Sequence, residues 1–172
     1  DELDDVKGLM KAQNDFMKGL ADHSLDLNKA AKLLRSTPQV EVGQTPAEVI
    51  WEKDIARLLH YKTEEVEDRP PILLVYALIN EPYILDLQPG RSVVETLLNS
   101  GLDVYMIDWK KPDKRHQFER LDDYVNYFID VCVDKVRDIR DRDSINLLGY
   151  CMGGTMSSMY AALHPEKIRT LT

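Results

Sequence analysis

One stretch of the sequence decides the fold class. Residues 145–155 read Ile-Asn-Leu-Leu-Gly-Tyr-Cys-Met-Gly-Gly-Thr. The apolar run at 144–148 predicts a buried strand, and residues 152–163 predict the helix that follows it. The pattern Gly-x-Cys-x-Gly between a buried strand and a helix is typical of a nucleophile elbow, which makes Cys151 the predicted nucleophile.

The elbow prediction gives each residue around Cys151 a role. Gly149, Gly153 and Gly154 lack side chains, which lets the strand and helix backbones come close together at a tight turn. We expect Cys151 in a strained conformation that exposes its sulfur, at a helix N-terminus whose dipole favours the thiolate. The N–H of Met152 is then placed to donate to an oxyanion. Two other interpretations are a buried cysteine in a glycine-rich turn and a phosphate-binding loop, although no Gly-Lys-Ser/Thr follows the glycines.

A second oxyanion donor is expected from the loop that follows the preceding core strand. That loop is residues 77–82, in which the N–H of Ile79 is the best candidate and Asn80 is the next. Removing one such donor typically costs about 3 kcal/mol of transition-state stabilisation.

Strands and helices alternate along the rest of the chain, which predicts an α/β fold with a parallel sheet and helices on both sides. The predicted strands are residues 72–76, 102–107 and 144–148, and the predicted helices are residues 92–99, 121–140 and 152–163. The inner face of the longest helix is predicted to hold Tyr124, Phe128, Val131, Cys132, Lys135 and Ile139. Residues 48–62 predict a two-stranded hairpin that turns at residues 52–54.

The N-terminal region, residues 1–36, is predicted to be helical. Apolar residues recur there in steps of three and four, and the break around Ser24 is compatible with either one helix or two. The amphipathic face either packs on the chain's own domain or forms a seam for a partner helix, and the sequence leaves both open.

Composition and charge argue against several classes of function. The net charge of −8 is unfavourable for a nucleic-acid binder, which needs a basic patch. No apolar run approaches the ~20 residues of a membrane-spanning helix, and no secretory signal pattern begins the sequence. Cys132 and Cys151 are expected to be free thiols in a cytoplasmic protein, with Cys132 in the core. No metal site or cofactor is predicted.

A cysteine at the elbow also predicts the class of substrate. Exchange of an acyl group between a thiolate and a thioester conserves the bond type, and a thiol is a good leaving group for the next transfer. Cys151 therefore fits acyl transfer from a thioester such as acyl-coenzyme A better than hydrolysis of a simple ester.

The base that would activate Cys151 has no good candidate in this sequence. His23, His60 and His116 fall in a predicted helix, the hairpin and a polar loop, and His164 stops the elbow helix on the side away from the active edge. In this architecture the acid and then the histidine follow the nucleophile, so we expect both beyond the last residue. Strand-end and N-cap positions account for Asp103, Asp108, Asp122 and Asp123.

Three blocks of the sequence together resemble the polyhydroxyalkanoate synthases, in sequence and in order. They are Asn-Glu-Pro-Tyr-Ile-Leu-Asp-Leu at 80–87, Val-Tyr-Met-Ile-Asp-Trp at 104–109 and Asn-Leu-Leu-Gly-Tyr-Cys-Met-Gly-Gly-Thr at 146–155. The variant Gly-Tyr-Cys-Met-Gly-Gly-Thr is most similar to the class IV catalytic subunit. The resemblance covers about residues 37–172 and implies the N-terminal part of an α/β-hydrolase catalytic domain, truncated after the elbow helix.

The resemblance also implies an activity. Cys151 would take a 3-hydroxyacyl group, chiefly (R)-3-hydroxybutyryl, from coenzyme A and pass it to a growing polyester. A histidine would deprotonate Cys151, and an aspartate would help activate the incoming hydroxyl. No cofactor is implied, because the substrate itself carries the coenzyme A.

The resemblance further implies partners and a location. A small helical partner subunit is expected, with residues 1–36 as its possible contact, at polyhydroxyalkanoate granules in the cytoplasm. The catalytic Asp and His and the lid have no counterpart here, so we expect these residues to be inactive without the C-terminal half of the synthase.

Two alternative functions stay open at this point. One is a cysteine-dependent α/β hydrolase that acts on thioesters or lactones and releases free acid. The other is a non-catalytic fragment that binds a partner through its N-terminal helices.

Overall fold

The computed structural model describes residues 10–11, 13–19, 29, 41–62 and 69–172. The chain divides into two compact units, residues 1–40 and 41–172. The described residues of the first unit are helical. The rest of the predicted helical region 1–36, its boundary and His23 lie outside the described residues.

The second unit is built on a mixed sheet. Its strands are β1 (Ala47–Lys53), β2 (Ala56–Tyr61), β3 (Pro71–Val75), β4 (Asp86–Gln88), β5 (Arg91–Ser92), β6 (Asp103–Trp109), β7 (Ile145–Gly149) and β8 (Ile168–Leu171). Six of them form one sheet in the order β1-β2-β6-β3-β7-β8, and β4 pairs with β5 separately. β6, β3, β7 and β8 are parallel, whereas β1 and β2 are antiparallel. The four parallel strands agree with the predicted α/β pattern. The predicted hairpin, β1 and β2, pairs with β6 and extends the sheet by two antiparallel strands. The strand–helix alternation did not predict this pairing.

Helices connect the parallel strands within residues 69–172. They are α1 (Val93–Asn99), α2 (121–140) and α3 (Met152–Leu163), with 3-10 turns at Pro82–Leu85, Lys114–His116 and Pro165–Lys167. α2 consists of Leu121–Asp123, a π-helical stretch Tyr124–Ile129, and Asp130–Arg140. α1 begins after Ser92, whose hydroxyl accepts the N–H of Glu95 as an N-cap. Among the described helices, none is long and apolar enough to cross a bilayer.

The core lies around the two central strands. All residues of β3 and β6 are buried, including Asp103 and Asp108 of β6. The continuous apolar run of β3 predicts this for a strand covered on both faces. α1 packs on β6, while α2 and α3 pack on β3 and β7. Each large apolar side chain buried there contributes about 1.5–3 kcal/mol. Because β3, β6 and β7 are parallel, their carboxyl ends lie at the same edge of this packed sheet.

The hairpin turn differs slightly from the prediction. β1 ends at Lys53 and β2 begins at Ala56, so Asp54 and Ile55 form the turn instead of residues 52–54. Asp54 adopts a φ of 49°, a left-handed conformation that aspartate tolerates. Ile55 is buried, which fixes the turn at this position.

The prediction of which α2 residues face the core is partly wrong. Its buried residues are Val125, Phe128, Ile129, Cys132, Val133 and Val136. Lys135 is exposed and Ile139 is 52% exposed, although both were predicted to face inward. Val133 and Val136 occupy the buried face instead, which leaves the Lys135 ammonium in solvent and avoids the cost of burying a charge.

Candidate active site

Cys151 lies at a sharp bend between β7 and α3. Its φ of 57° and ψ of −126° are a strained conformation for a residue with a side chain, as the elbow prediction requires. The residue is exposed. The alternative of a buried cysteine in a glycine-rich turn is therefore wrong.

The two glycines that flank Cys151 allow the close approach of strand and helix. A Cβ on Gly149 would lie 2.8 Å from the backbone nitrogen of Gly154, and a Cβ on Gly153 would lie 2.6 Å from the carbonyl carbon of Val75. Real Cβ atoms essentially never come within 3.0 Å of such atoms. The predicted reason for glycine at 149 and 153 is confirmed.

The first backbone amides of α3 differ in whether they are already hydrogen-bonded. The N–H groups of Gly153 and Gly154 donate to the carbonyls of Tyr150 (3.0 Å) and Cys151 (2.9 Å). Among the hydrogen bonds of the described residues, none uses the N–H of Met152, the first residue of the helix. A free amide at a helix N-terminus, directly after the predicted nucleophile, can stabilise negative charge on a substrate oxygen.

The loop after β3 offers the second predicted donor. β3 and β7 are neighbours in register, with Val75 opposite Gly149, so this loop and the elbow leave the same edge of the sheet. The N–H of Asn80 donates to the carbonyl of Ala77 within the loop's own turn (3.0 Å). Ile79 is 90% exposed, and no hydrogen bond found in residues 69–172 uses its N–H. Ile79 is thus the better candidate, and its role stays a prediction.

The described histidines have partners elsewhere. His60 bonds Asp103, the first residue of β6, at 2.8 Å and so lies at the opposite edge of the sheet from the elbow. His116 accepts a backbone N–H of its own 3-10 turn at 3.0 Å. His164 ends α3, whose 12 residues separate it from Cys151 by roughly 18 Å. Within the described part of the chain, no hydrogen bond or ion pair joins a histidine to Cys151.

Cys132 differs from Cys151 in its burial. It is fully buried on α2, and burial raises the pKa of its thiol. Both cysteines are free, as predicted. A buried neutral thiol packs as a small apolar side chain, which confirms the core interpretation of Cys132.

Two family models match the chain. The model of the alpha/beta hydrolase fold matches residues 70–172, and the model of the poly-beta-hydroxybutyrate polymerase (PhaC) N-terminus matches residues 4–97. Each match covers more than half of the 172 residues. The chain belongs to the poly-beta-hydroxybutyrate polymerase family.

Relatives of this chain carry the name poly(3-hydroxyalkanoate) polymerase subunit PhaC. The protein from Haloferax mediterranei is 59% identical over 143 residues, which are 83% of this chain and 29% of the relative. The proteins from Haloarcula marismortui and Allochromatium vinosum are 52% and 41% identical, over 92% and 88% of this chain and 35% and 44% of their own lengths. The chain therefore spans less than half the length of each. The resemblance is confirmed, while the assignment to class IV stays a prediction.

Solved structures similar to this chain agree on its fold. Est1E from Butyrivibrio proteoclasticus matches with a TM-score of 0.53 and 19% identity, over 73% of this chain and 49% of its own. Epoxide Hydrolase A from Mycobacterium thermoresistibile matches with a TM-score of 0.52 and 14% identity, over 73% and 37%. Identities this low bear on the fold alone, which is the α/β-hydrolase fold.

Proposed function

We propose that the polymerase carries growing polyhydroxyalkanoate on Cys151 as a covalent thioester, with (R)-3-hydroxyacyl-coenzyme A, chiefly the 3-hydroxybutyryl thioester, as the substrate. The observation that carries this proposal is an exposed cysteine in a strained conformation at the start of α3, followed by an unused amide. Membership of the polymerase family supports the same reaction.

The first step is acyl exchange between two sulfur atoms. The Cys151 thiolate attacks the carbonyl carbon of the substrate, and the carbonyl oxygen becomes an oxyanion that the N–H of Met152 and the N–H of Ile79 stabilise. The bond to coenzyme A then breaks, and the departing thiolate takes up a proton to become free coenzyme A. The new thioester on Cys151 is the same bond type as the old one, so the exchange is close to balanced in free energy.

The second step lengthens the polyester. The hydroxyl of one hydroxyacyl unit attacks the thioester carbon of another and loses its proton to a general base, and the Cys151 thiolate leaves. We propose that the histidine and the aspartate for these proton transfers belong to the remaining length of the polymerase, since the relatives are more than twice as long as their match to this chain. These 172 residues alone are then expected to be inactive.

Release of coenzyme A from 3-hydroxybutyryl-coenzyme A tests this function in the full-length polymerase. Cys151→Ala removes the sulfur and should abolish release, whereas Cys151→Ser should retain at most a trace. Cys132→Ala is the matched control, because it removes a thiol from the core and should leave the rate nearly unchanged. Release at the wild-type rate from Cys151→Ala would overturn the proposal.

Analysis of the product separates polymerisation from the alternative of thioester hydrolysis. A polymerase converts the released acyl groups into a chloroform-soluble polyester, whereas a cysteine hydrolase yields free 3-hydroxybutyrate. Polyester as the main product is expected. Free acid in amounts equal to the coenzyme A released would favour the hydrolase.

We further propose a small helical partner subunit that contacts residues 1–36, and association of the complex with polymer granules in the cytoplasm. The amphipathic sequence pattern of residues 1–36 supports this contact. Deletion of residues 1–36 should abolish co-purification of the partner with the polymerase. Unchanged co-purification would place the contact elsewhere.

A further inference from the structure

A buried set of hydrogen bonds joins the ends of β3 and β6, next to loop 77–82, which holds the second predicted oxyanion donor. Tyr76 directly follows β3 and is fully buried. Its hydroxyl donates to Oδ1 of Asp108 (3.1 Å) and accepts the backbone N–H of Trp109 (3.1 Å). The indole Nε1–H of Trp109 donates in turn to the main-chain carbonyl of Tyr76 (3.0 Å). Both ends of Tyr76 are thus fixed by the end of one neighbouring strand.

An ion pair holds Asp108 in place for this contact. Asp108 is 3% exposed, and its second oxygen, Oδ2, accepts the Nε–H of Arg57 (2.8 Å) and a further bond from the same guanidinium. Burial, followed by the charge of Asp108, raises the pKa of Tyr76, so its hydroxyl stays protonated and can donate. The network therefore has a donor for each carboxylate oxygen, which a buried charge requires.

The backbone at Tyr76 also touches the nucleophile elbow. A Cβ on Gly153 would lie 2.9 Å from the carbonyl carbon of Tyr76, so α3 rests directly on this peptide. One residue earlier, the carbonyl of Val75 accepts the N–H of Tyr150 (2.8 Å). Ile79 follows Tyr76 by three residues. A shift of the Tyr76 carbonyl would therefore move Ile79 relative to the first turn of α3.

We propose that Trp109 and Tyr76 are positioning residues for the oxyanion hole. The indole bond fixes the carbonyl from which loop 77–82 departs, and the hydroxyl bonds fix the side chain beneath it. The N–H of Ile79 and the N–H of Met152 then face the same acyl oxygen. This inference rests on the proposed function, because it needs an acyl transfer at Cys151.

Two variants that keep the aromatic rings test the network in the full-length polymerase. Trp109→Phe removes the indole N–H, and Tyr76→Phe removes the hydroxyl. Each should lower kcat for coenzyme A release by about tenfold to a hundredfold with little change in KM, because misplacing one donor weakens only transition-state binding. Tyr160→Phe is the matched control, since Tyr160 is also fully buried and its hydroxyl donates to a carboxylate, Asp130, at 2.7 Å. Its kcat should stay within about twofold of wild type.

Alkylation of Cys151 by iodoacetamide distinguishes misplaced oxyanion donors from a general structural defect. A general defect would change the alkylation rate as well as kcat, whereas misplaced donors would change kcat alone. The reaction is substitution at a saturated carbon, so it forms no oxyanion and needs only an exposed thiolate. Both network variants should be alkylated at the wild-type rate while their kcat falls. A parallel fall in the two rates would mean that the elbow itself had moved, and would overturn the inference.

Two further results would also overturn it. One is a kcat in both network variants that matches the Tyr160→Phe control. The other is failure of both variants to fold, which would assign the network to stability alone. These outcomes differ from failure of the proposed function, in which alkylated enzyme or Cys151→Ala would still release coenzyme A.

Discussion

Substitution of Gly153 by alanine is the most direct perturbation of the packing that creates the elbow. The added Cβ would lie 2.6 Å from the carbonyl carbon of Val75 and 2.9 Å from that of Tyr76, and closer still to the Val75 oxygen. Ordinary contacts begin at 3.4 Å, and the overlap with the Val75 oxygen is the largest, so β3 and α3 must separate by about 1.4 Å at this contact. All three neighbours are backbone atoms, which cannot rotate away.

The energetic cost follows from two opposing effects. Overpacking a well-packed contact costs about 1–3 kcal/mol, and a clash with fixed backbone belongs at the upper end of that range. Alanine regains up to about 1 kcal/mol because it favours helix over glycine. The net loss in the free energy of unfolding is then about 2 kcal/mol, which lowers Tm by roughly 2–3 °C in a chain of roughly 400 residues, because the entropy of unfolding is about 2.1 cal/mol/K per residue.

Thermal unfolding of the full-length polymerase measures this loss, with Gly154→Ala as the control. A Cβ on Gly154 would meet its nearest neighbour, the carbonyl oxygen of Gly149, at 3.2 Å, which a shift of a few tenths of an ångström relieves. Gly154→Ala should therefore stay within about 1 kcal/mol of wild type. Equal Tm values for the two variants would refute the close approach of α3 to β3.

Two further predictions concern the thiols and a half-buried ion pair. Iodoacetamide should label Cys151 but leave Cys132 unmodified until urea unfolds the protein, as peptide mapping by mass spectrometry would show; labelling of both in the native state would contradict their different burial. The second prediction is that Lys167→Met lowers the free energy of unfolding by about 1–3 kcal/mol at pH 7, because Lys167 donates to Asp130 (2.7 Å) and Asp134 (2.8 Å). Burial alone would raise the pKa of Asp130, but its bonds from Lys167 and Tyr160 lower it overall. The ion pair therefore stabilises the folded state above pH ~4, and this stabilisation is lost as the pH falls below that value. Urea titrations in which Lys167→Met lowers the free energy of unfolding equally at pH 7 and pH 3 would contradict the assignment.

The sequence was sufficient where local pattern and backbone chemistry decide the structure. β3 is apolar throughout, and β6 and β7 carry apolar residues on both faces, so a parallel core was the expected arrangement. The spacing of Gly149, Cys151 and Gly153 likewise requires a tight turn, whatever the rest of the chain does. These features predicted both the fold and the strained, exposed position of Cys151.

Features that depend on distant residues could not be predicted in this way. Tyr76 and Trp109 are 33 residues apart, and neither carries a local signal of their hydrogen bonds. Asp108 was interpreted as a strand-end residue, yet it is buried and accepts hydrogen bonds from Arg57, 51 residues earlier. An aspartate in an otherwise apolar run was the one available sign that this carboxylate has buried partners. The rotation of α2 that buries Val136 in place of Lys135 was likewise set by tertiary packing.

The covalent intermediate on Cys151 is the central claim, and mass spectrometry of acid-quenched polymerase tests it most directly. After mixing with 3-hydroxybutyryl-coenzyme A, the peptide that contains Cys151 should carry a hydroxyacyl group that hydroxylamine removes, as expected for a thioester. The same peptide from Cys151→Ala should carry none. Turnover with the acyl group on another side chain, or with no acylated peptide in a quench that preserves thioesters, would contradict the account.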